Sequence, residues 1–238
     1  MRAPGVASLP SLLFSQGFGT RRECRALVLS GRVRVGGLPH DEPDVLLAAA
    51  PQEIEVDGVR WPVRERALVM LNKPAGYECS TKPRHHPSVL SLLPPPLRTR
   101  GVQPVGRLDE DTTGLLLLTD DGALIHRLTS PKHHVAKVYE VGTRHAISQT
   151  QVQALRDGVV LDDDPAPVRA AAAERVGDQA LRLTLTEGRY HQVKRMVAAV
   201  GNRVETLHRS RFGDWTLPPD LPAGGWCWLD APAAASKA

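Results

Sequence analysis

Four consecutive leucines at 115–118 constrain this chain more than any other feature. They follow a polar, glycine-bounded stretch, Gly106-Arg107-Leu108-Asp109-Glu110-Asp111-Thr112-Thr113-Gly114, and run into Thr119-Asp120-Asp121-Gly122. An uninterrupted apolar run this short, bracketed by turn residues, reads as a strand buried on both faces. A polar loop on such a strand is held by a rigid element, which is how reactive side chains are commonly placed. Arg107 and Asp109 stand two residues apart. In an extended loop both point to one side, so the cation would keep the carboxylate ionised and aimed.

The same letters also allow a calcium loop. Asp109, Asp111, Thr113, Gly114 and Asp120 fall at positions 1, 3, 5, 6 and 12 of an EF-hand pattern. The match is poor: position 12 is Asp in place of Glu, and strands are expected at the flanks where helices are required. Other metal signals are weak. His85–His86 and His133–His134 are adjacent pairs and not the i, i+4 spacing that sets two ligands on one helix face. Cys24, Cys79 and Cys227 stand far apart, which suits a reducing compartment and gives no disulfide framework. No metal is expected.

The chain has 238 residues, 42% of them hydrophobic, enough for one sizeable core and a second small one. No apolar run approaches a membrane span. Arg2 ahead of an apolar stretch imitates a signal peptide, but Pro4 and Pro10 break it and no small-residue cleavage site follows. A cytoplasmic protein is expected, and with no heptad seam or apolar surface stripe, a monomer.

Charge is unevenly placed. Residues 1–40 hold six arginines (Arg2, Arg21, Arg22, Arg25, Arg32 and Arg34) against Glu23 alone. Residues 181–211 hold seven basic side chains against Glu187 and Glu205. Two basic patches on a nearly balanced chain suggest a polyanion gripped at two places.

Along the chain, residues 11–16 look helical and Gly17-Phe18-Gly19 ends that helix. Thr20 with Glu23 forms a capping box for a helix over 21–29. Val33 and Val35 alternate with Arg32 and Arg34 as in a strand, and Gly36-Gly37 makes a turn. Ile54, Val56 and Val59 suggest strand around Asp57-Gly58. This unit covers residues 1–60. Residues 61–66 read as a linker and 67–230 as a larger α+β domain, a mainly antiparallel sheet with flanking helices. The alanine-rich tail 231–238 reads as disordered. In the larger domain, 68–71 is a buried strand ending at Asn72-Lys73-Pro74, and 83–96 is a proline-broken loop. Strands are expected over 115–119, 138–141 and 181–185. Val193, Met196, Val197 and Val200 mark one face of a helix that stops at Gly201.

The stretch 106–122 closely resembles the central motif of pseudouridine synthases, and within them the RsuA branch, which modifies bacterial small-subunit ribosomal RNA. Other blocks agree in order: 67–81, Leu128-Thr-Ser-Pro-Lys-His-His134, Lys137-Val-Tyr139, Leu185-Thr-Glu-Gly-Arg-Tyr-His-Gln-Val-Lys-Arg-Met196, and 204–211. The resemblance implies that Asp109 is the essential aspartate, that Arg107 and Lys194 hold it by ion pairing, and that Tyr139 stacks on the target base. Leu183 lies near an apolar position beneath that tyrosine. Position 194, often Arg in relatives, is Lys here, a point charge where a planar fork is usual. Arg189, His191 and Arg195 read as phosphate contacts or structural groups. Gly17 to Cys24 and Ser30 to Gly37 resemble an S4-type RNA-binding module, with Arg21, Arg22, Arg25 and Arg32 as RNA contacts. Its first helix lacks the usual basic residue.

The activity so implied moves uracil from an N1–C1′ bond to a C5–C1′ bond. Nothing is gained or lost, so no cofactor is expected. A carboxylate can serve as nucleophile or as a base on a sugar proton. The implied partner is ribosomal RNA or a pre-ribosomal particle, and the implied target is uridine 516 of 16S RNA. A sister enzyme acting on 23S RNA and a non-catalytic assembly factor are the alternatives.

Overall fold

The computed structural model describes residues 8–162 and 164–230. The N-terminal stretch that imitates a signal peptide lies mostly outside these, and the alanine-rich tail wholly so. The chain divides into two compact units. The first ends at Ala67 and also takes in Leu93–Val102; the second is Leu68–Leu92 and everything from Gln103 on.

The first unit opens with helix α1 (Leu9–Ser15) and helix α2 (Arg21–Leu29). Thr20 and Glu23 form the expected capping box at the start of α2. A four-stranded sheet follows, ordered β2-β1-β3-β4, from β1 (Val33–Val35), β2 (Leu38–His40), β3 (Glu53–Val56) and β4 (Val59–Pro62). Asp57 and Gly58 both take positive φ, as a tight two-residue hairpin between β3 and β4 requires. Helix α3 (Pro95–Thr99) completes the unit. The linker expected at 61–66 is corrected here. Trp61 and Pro62 belong to β4, and Trp61 is buried. Arg64 exchanges hydrogen bonds with the buried Gln16 amide, which also accepts from Arg100 at 2.9 Å. A glutamine with every group engaged ties three distant segments together, which no local pattern announces.

The second unit is built on a large, mostly antiparallel sheet with helices beside it, the expected α+β class. Its strands are β5 (Leu68–Lys73), β6 (Gln103–Pro104), β7 (Thr113–Thr119), β8 (Lys137–Thr143), β11 (Ala172–Gly177), β12 (Ala180–Leu185), β13 (Val204–Phe212), β14 (Trp215–Thr216) and β15 (Trp226–Trp228). The main order is β11-β12-β8-β13-β7-β5-β15. A separate hairpin joins β9 (Val159–Leu161) and β10 (Asp164–Val168). Helices α4 (Gly122–Thr129), α5 (Gln149–Asp157) and α6 (Gln192–Ala199) flank the sheets. The four leucines lie in β7, each 0% exposed.

Apolar clusters form on the sheet. One gathers Leu68, Met70, Leu115, Leu117 and Phe212 with α4 residues. Another gathers β8, β12, α5 and α6 side chains, Leu183 and Met196 among them. Among the described residues, the only parallel strand pairing in the large sheet joins β13 to β7, matching His208 with Thr113 and Arg209 with Gly114. Gly114 has φ +101, and a Cβ there would lie 2.3 Å from the Arg209 carbonyl oxygen. Glycine is what lets the two strands close at this point.

Candidate active site

The residues 105–112 lead from β6 into β7 and form one wall of a cavity of about 770 Å³. Gly106 takes φ +74 and bends the chain, and the Thr112 amide donates to the Asp109 carbonyl at 3.1 Å. Across the cavity lie β8, β13 and the segment 185–194.

Asp109 lines this cavity with its side chain 30% exposed. Lys194 Nζ stands 3.5 Å from one carboxylate oxygen, and His191 Nε2 stands 3.4 Å from the other. Lys194 approaches Asp111 more closely, donating to both its oxygens at 2.7 and 2.8 Å. Burial alone would raise the Asp111 carboxyl, but the Lys194 hydrogen bond and charge bring it below the ordinary carboxylate value. Burial likewise works against the Lys194 ammonium, and its bonds to Asp111 outweigh that and raise it. A compact ammonium can serve two carboxylates at once, which a fork locked on one partner does less readily.

His191 reaches Asp109 by adopting a left-handed backbone, φ 48, at the cap of α6. The Gln192 side chain holds this turn, accepting from the Arg189 amide at 2.9 Å and donating to Glu187 at 2.8 Å. The Tyr190 ring stacks on the His191 imidazole at 3.8 Å and is 73% exposed.

The back of the loop is fixed by Lys73, which is 0% exposed at the end of β5. Its ammonium donates to the carbonyls of Pro74, Glu110 and Thr112 at 3.0, 2.9 and 2.8 Å. Burial pushes this ammonium below its ordinary pKa, with Cys79 and the nearby acids working the other way. Cys79 also touches the loop, its sulfur accepting from the Leu108 amide, and burial raises its thiol.

Tyr139 projects from β8 onto the same cavity, beside Leu183 of β12 and Arg209 of β13 in the strand register. Several expectations change here. Arg107 lines the cavity but is exposed and makes no ion pair with Asp109 among the described residues. Arg107 stays exposed on the cavity wall, and the place foreseen for it beside Asp109 is taken by His191 at 3.4 Å. Leu183 is 0% exposed and packs in the core under Tyr139, so it supports the cavity without lining it; Leu185 and Leu207 line it instead. Arg189 lines the cavity, 3.4 Å from Glu187, whereas Arg195 does not line it and bonds the Tyr190 carbonyl.

In the first unit, Arg25 is held by both oxygens of Asp44 at 2.6 and 2.7 Å, and Arg32 by both oxygens of Asp57 at 2.5 and 2.6 Å. These partners lie beyond residue 40, so a charge count over 1–40 overstated the free positive charge. Arg21 rests over the Phe14 ring at 4.5 Å, and Arg22 is exposed with no partner among the described residues.

The calcium arrangement fails on geometry. The seven residues of β7 separate Asp109 from Asp120 by roughly 20 Å at the rise of a strand. Asp121 is engaged in capping α4.

Residues 67–199 match the family model described as RNA pseudouridylate synthase. The chain belongs to that family. The ribosomal small subunit pseudouridine synthase A of Yersinia pestis is 52% identical over 155 residues, 65% of this chain and 66% of that protein. The protein of the same name in Escherichia coli is 48% identical over 155 residues. An uncharacterised RNA pseudouridine synthase of Bacillus subtilis, YtzG, is 40% identical over 91% of this chain and 92% of its own. A crystal structure titled as a pseudouridylate synthase superposes with a TM-score of 0.67 at 35% identity, covering 94% of this chain and 96% of that one. The RsuA-type resemblance is borne out, and the chain is a member of a family of RNA isomerases.

Proposed function

We propose that this protein converts a uridine of ribosomal RNA to pseudouridine, with Asp109 as the reacting carboxylate. The observation that carries the reading is the placement of Asp109 inside a cavity, between Lys194 at 3.5 Å and His191 at 3.4 Å. Lys194 and His191 hold the carboxylate on two sides and aim it into the cavity, as either route, at C1′ or at a sugar proton, requires. The target uridine leaves its stack and enters the cavity, where Tyr139 stacks on it, recovering roughly 1–3 kcal/mol of the unstacking cost. Arg107 and Arg189, at the walls, contact the flanking phosphates. The N-terminal unit is an S4-type module that adds sequence-independent grip through Arg21 and Arg22.

The proposed substrate is small-subunit ribosomal RNA, the subunit carried in the names of the relatives from Yersinia pestis and Escherichia coli, and the proposed target is uridine 516, which the sequence resemblance implies. The enzyme acts as a monomer in the cytoplasm on free RNA or on a pre-ribosomal particle. Asp109→Asn is expected to abolish tritium release from labelled uridine in 16S RNA while RNA affinity stays within a few-fold. Substantial residual turnover would remove Asp109 from its role. Chemical mapping of both ribosomal RNAs from a deletion strain tests the target: one pseudouridine lost from 16S RNA and none from 23S RNA is the expected pattern. A strain that loses none leaves only the assembly-factor reading.

A further inference from the structure

Arg209 is 2% exposed, yet it lines the cavity that holds Asp109. Its Nε donates to the Leu115 carbonyl at 2.8 Å. Its Nη2 is buried with no hydrogen-bond partner, and no carboxylate pairs with it among the described residues. A buried cationic nitrogen without an acceptor is costly, and such a group calls for an explanation.

Its surroundings show what is missing. Strand β13 slips register between Arg209 and Arg211, pairing Arg209 with Tyr139, Arg211 with Val138 and Phe212 with Lys137. The extra residue, Ser210, keeps Arg209 and Phe212 on one face of the sheet although they are three apart. Tyr139 and Lys137, two apart on β8, share that face. Lys137 also lines the cavity, donates only to the Val135 carbonyl, and has no ion-pair partner among the described residues. The Arg209 guanidinium and the Lys137 ammonium both lie against the Phe212 ring, at 5.0 and 5.4 Å from its centre. Burial, with the charge of Arg209 adding to it, pushes Lys137 down to about 8. Two cations thus crowd a desolvated floor beside the proposed stacking tyrosine.

We infer that Arg209, seconded by Lys137, forms a subsite for the uracil oxygens, which carry negative charge when the base is detached. The inference rests on the reading of Asp109 and Tyr139 given above. When the C1′–N1 bond breaks, its electron pair stays with the base and spreads over N1 and the two carbonyl oxygens. The base then turns, C5 bonds to C1′, the C5 proton leaves and N1 takes up a proton. Both routes open to Asp109 pass through this charged base. Donors fixed before the reaction stabilise such charge far better in a dry site than in water. A phosphate is the other anion the substrate offers, but a base stacked on Tyr139, which pairs with Arg209 across β8 and β13, lies beside the guanidinium, while the ribose faces Asp109.

The test compares single-turnover rates on two RNAs, one with uridine and one with 5-fluorouridine at the target. Fluorine makes the base a better leaving group and leaves the phosphates unchanged. The readout is loss of the parent nucleoside after nuclease digestion. Arg209→Met is expected to slow the uridine RNA by about 100-fold or more. It is expected to slow the fluorouridine RNA by a factor at least about tenfold smaller, because less charge needs support. Arg209→Lys should recover part of the rate. Equal losses on both RNAs, or a loss carried by weaker RNA binding, overturn the subsite and favour a phosphate contact. If Arg209→Met fails to fold, Lys137→Met carries the same comparison, with a smaller loss in the same direction. A wild-type enzyme that consumes neither RNA overturns the reading of Asp109, and this inference with it.

Discussion

Two lysines with opposite exposure do different work around Asp109. Lys194 is reachable from solvent and shares its charge between Asp109 and Asp111, so its contribution is electrostatic and adjustable. Lys73 is sealed, and its three hydrogen bonds all end on backbone carbonyls, two of them in the Asp109 loop. Replacing Lys73 by Met leaves those carbonyls short of a donor but also removes the cost of burying an ammonium. Together these set a net loss of roughly 2–3 kcal/mol. Urea denaturation should show it as a lower midpoint with an unchanged slope, and turnover should fall further than stability alone accounts for. A variant as stable as the wild type sinks the idea that Lys73 fastens the loop. The meeting of Asp109, Lys194 and Tyr139 at one cavity was legible in the sequence because family spacing marks these three positions. Lys73, His191 and Arg209 were not, because their roles depend on partners 37 to 94 residues away or on a left-handed turn.

Elements were easier to foresee than contacts. The α2 helix, β5, β7, β12 and α6 were anticipated within a few residues because their apolar periodicity and caps are local. Short strands such as β6 and β14 exist only through pairing with β7 and β13, and nothing in two residues signals that. The parallel contact of β13 with β7 also depends on one titratable group. His208 Nδ1 lies 2.9 Å from the Thr113 hydroxyl, across the pair that anchors the Asp109 loop. Burial holds His208 below its ordinary value of 6.5, with Glu140 pulling weakly upward. Below that value the unfolded chain binds a proton that the folded chain resists, so stability falls as pH drops toward the folded pKa. Melting temperature should decline from about pH 7.5 to about pH 5.5 in the wild type. His208→Gln, which keeps a partner for Thr113, should decline less. Equal declines would assign the acid sensitivity elsewhere.

At the scale of the whole molecule, the division near residue 67 follows a change of pattern that sequence reading can find. The return of 93–102 to the first unit does not, since it hangs on Arg100 bonding Gln16, Arg64 and Glu65. Charge shows the same gap between count and arrangement. Of the four arginines proposed to meet RNA in the first unit, two are already matched by carboxylates in two-point pairs, and Arg22 has no partner among the described residues. Salt dependence separates these states, because only a cation that displaces counterions from phosphate contributes to the slope of log affinity against log salt. Arg22→Gln should reduce that slope by roughly 0.7–0.9, one phosphate contact's worth. Arg25→Gln should leave the slope unchanged, since Asp44 already neutralises the guanidinium it removes. Titration of 16S RNA fragments over a range of salt reads both slopes. The reverse outcome, a slope that responds to Arg25 and ignores Arg22, would mean that Asp44 yields its arginine to RNA and that the pairs are latches opened by the substrate.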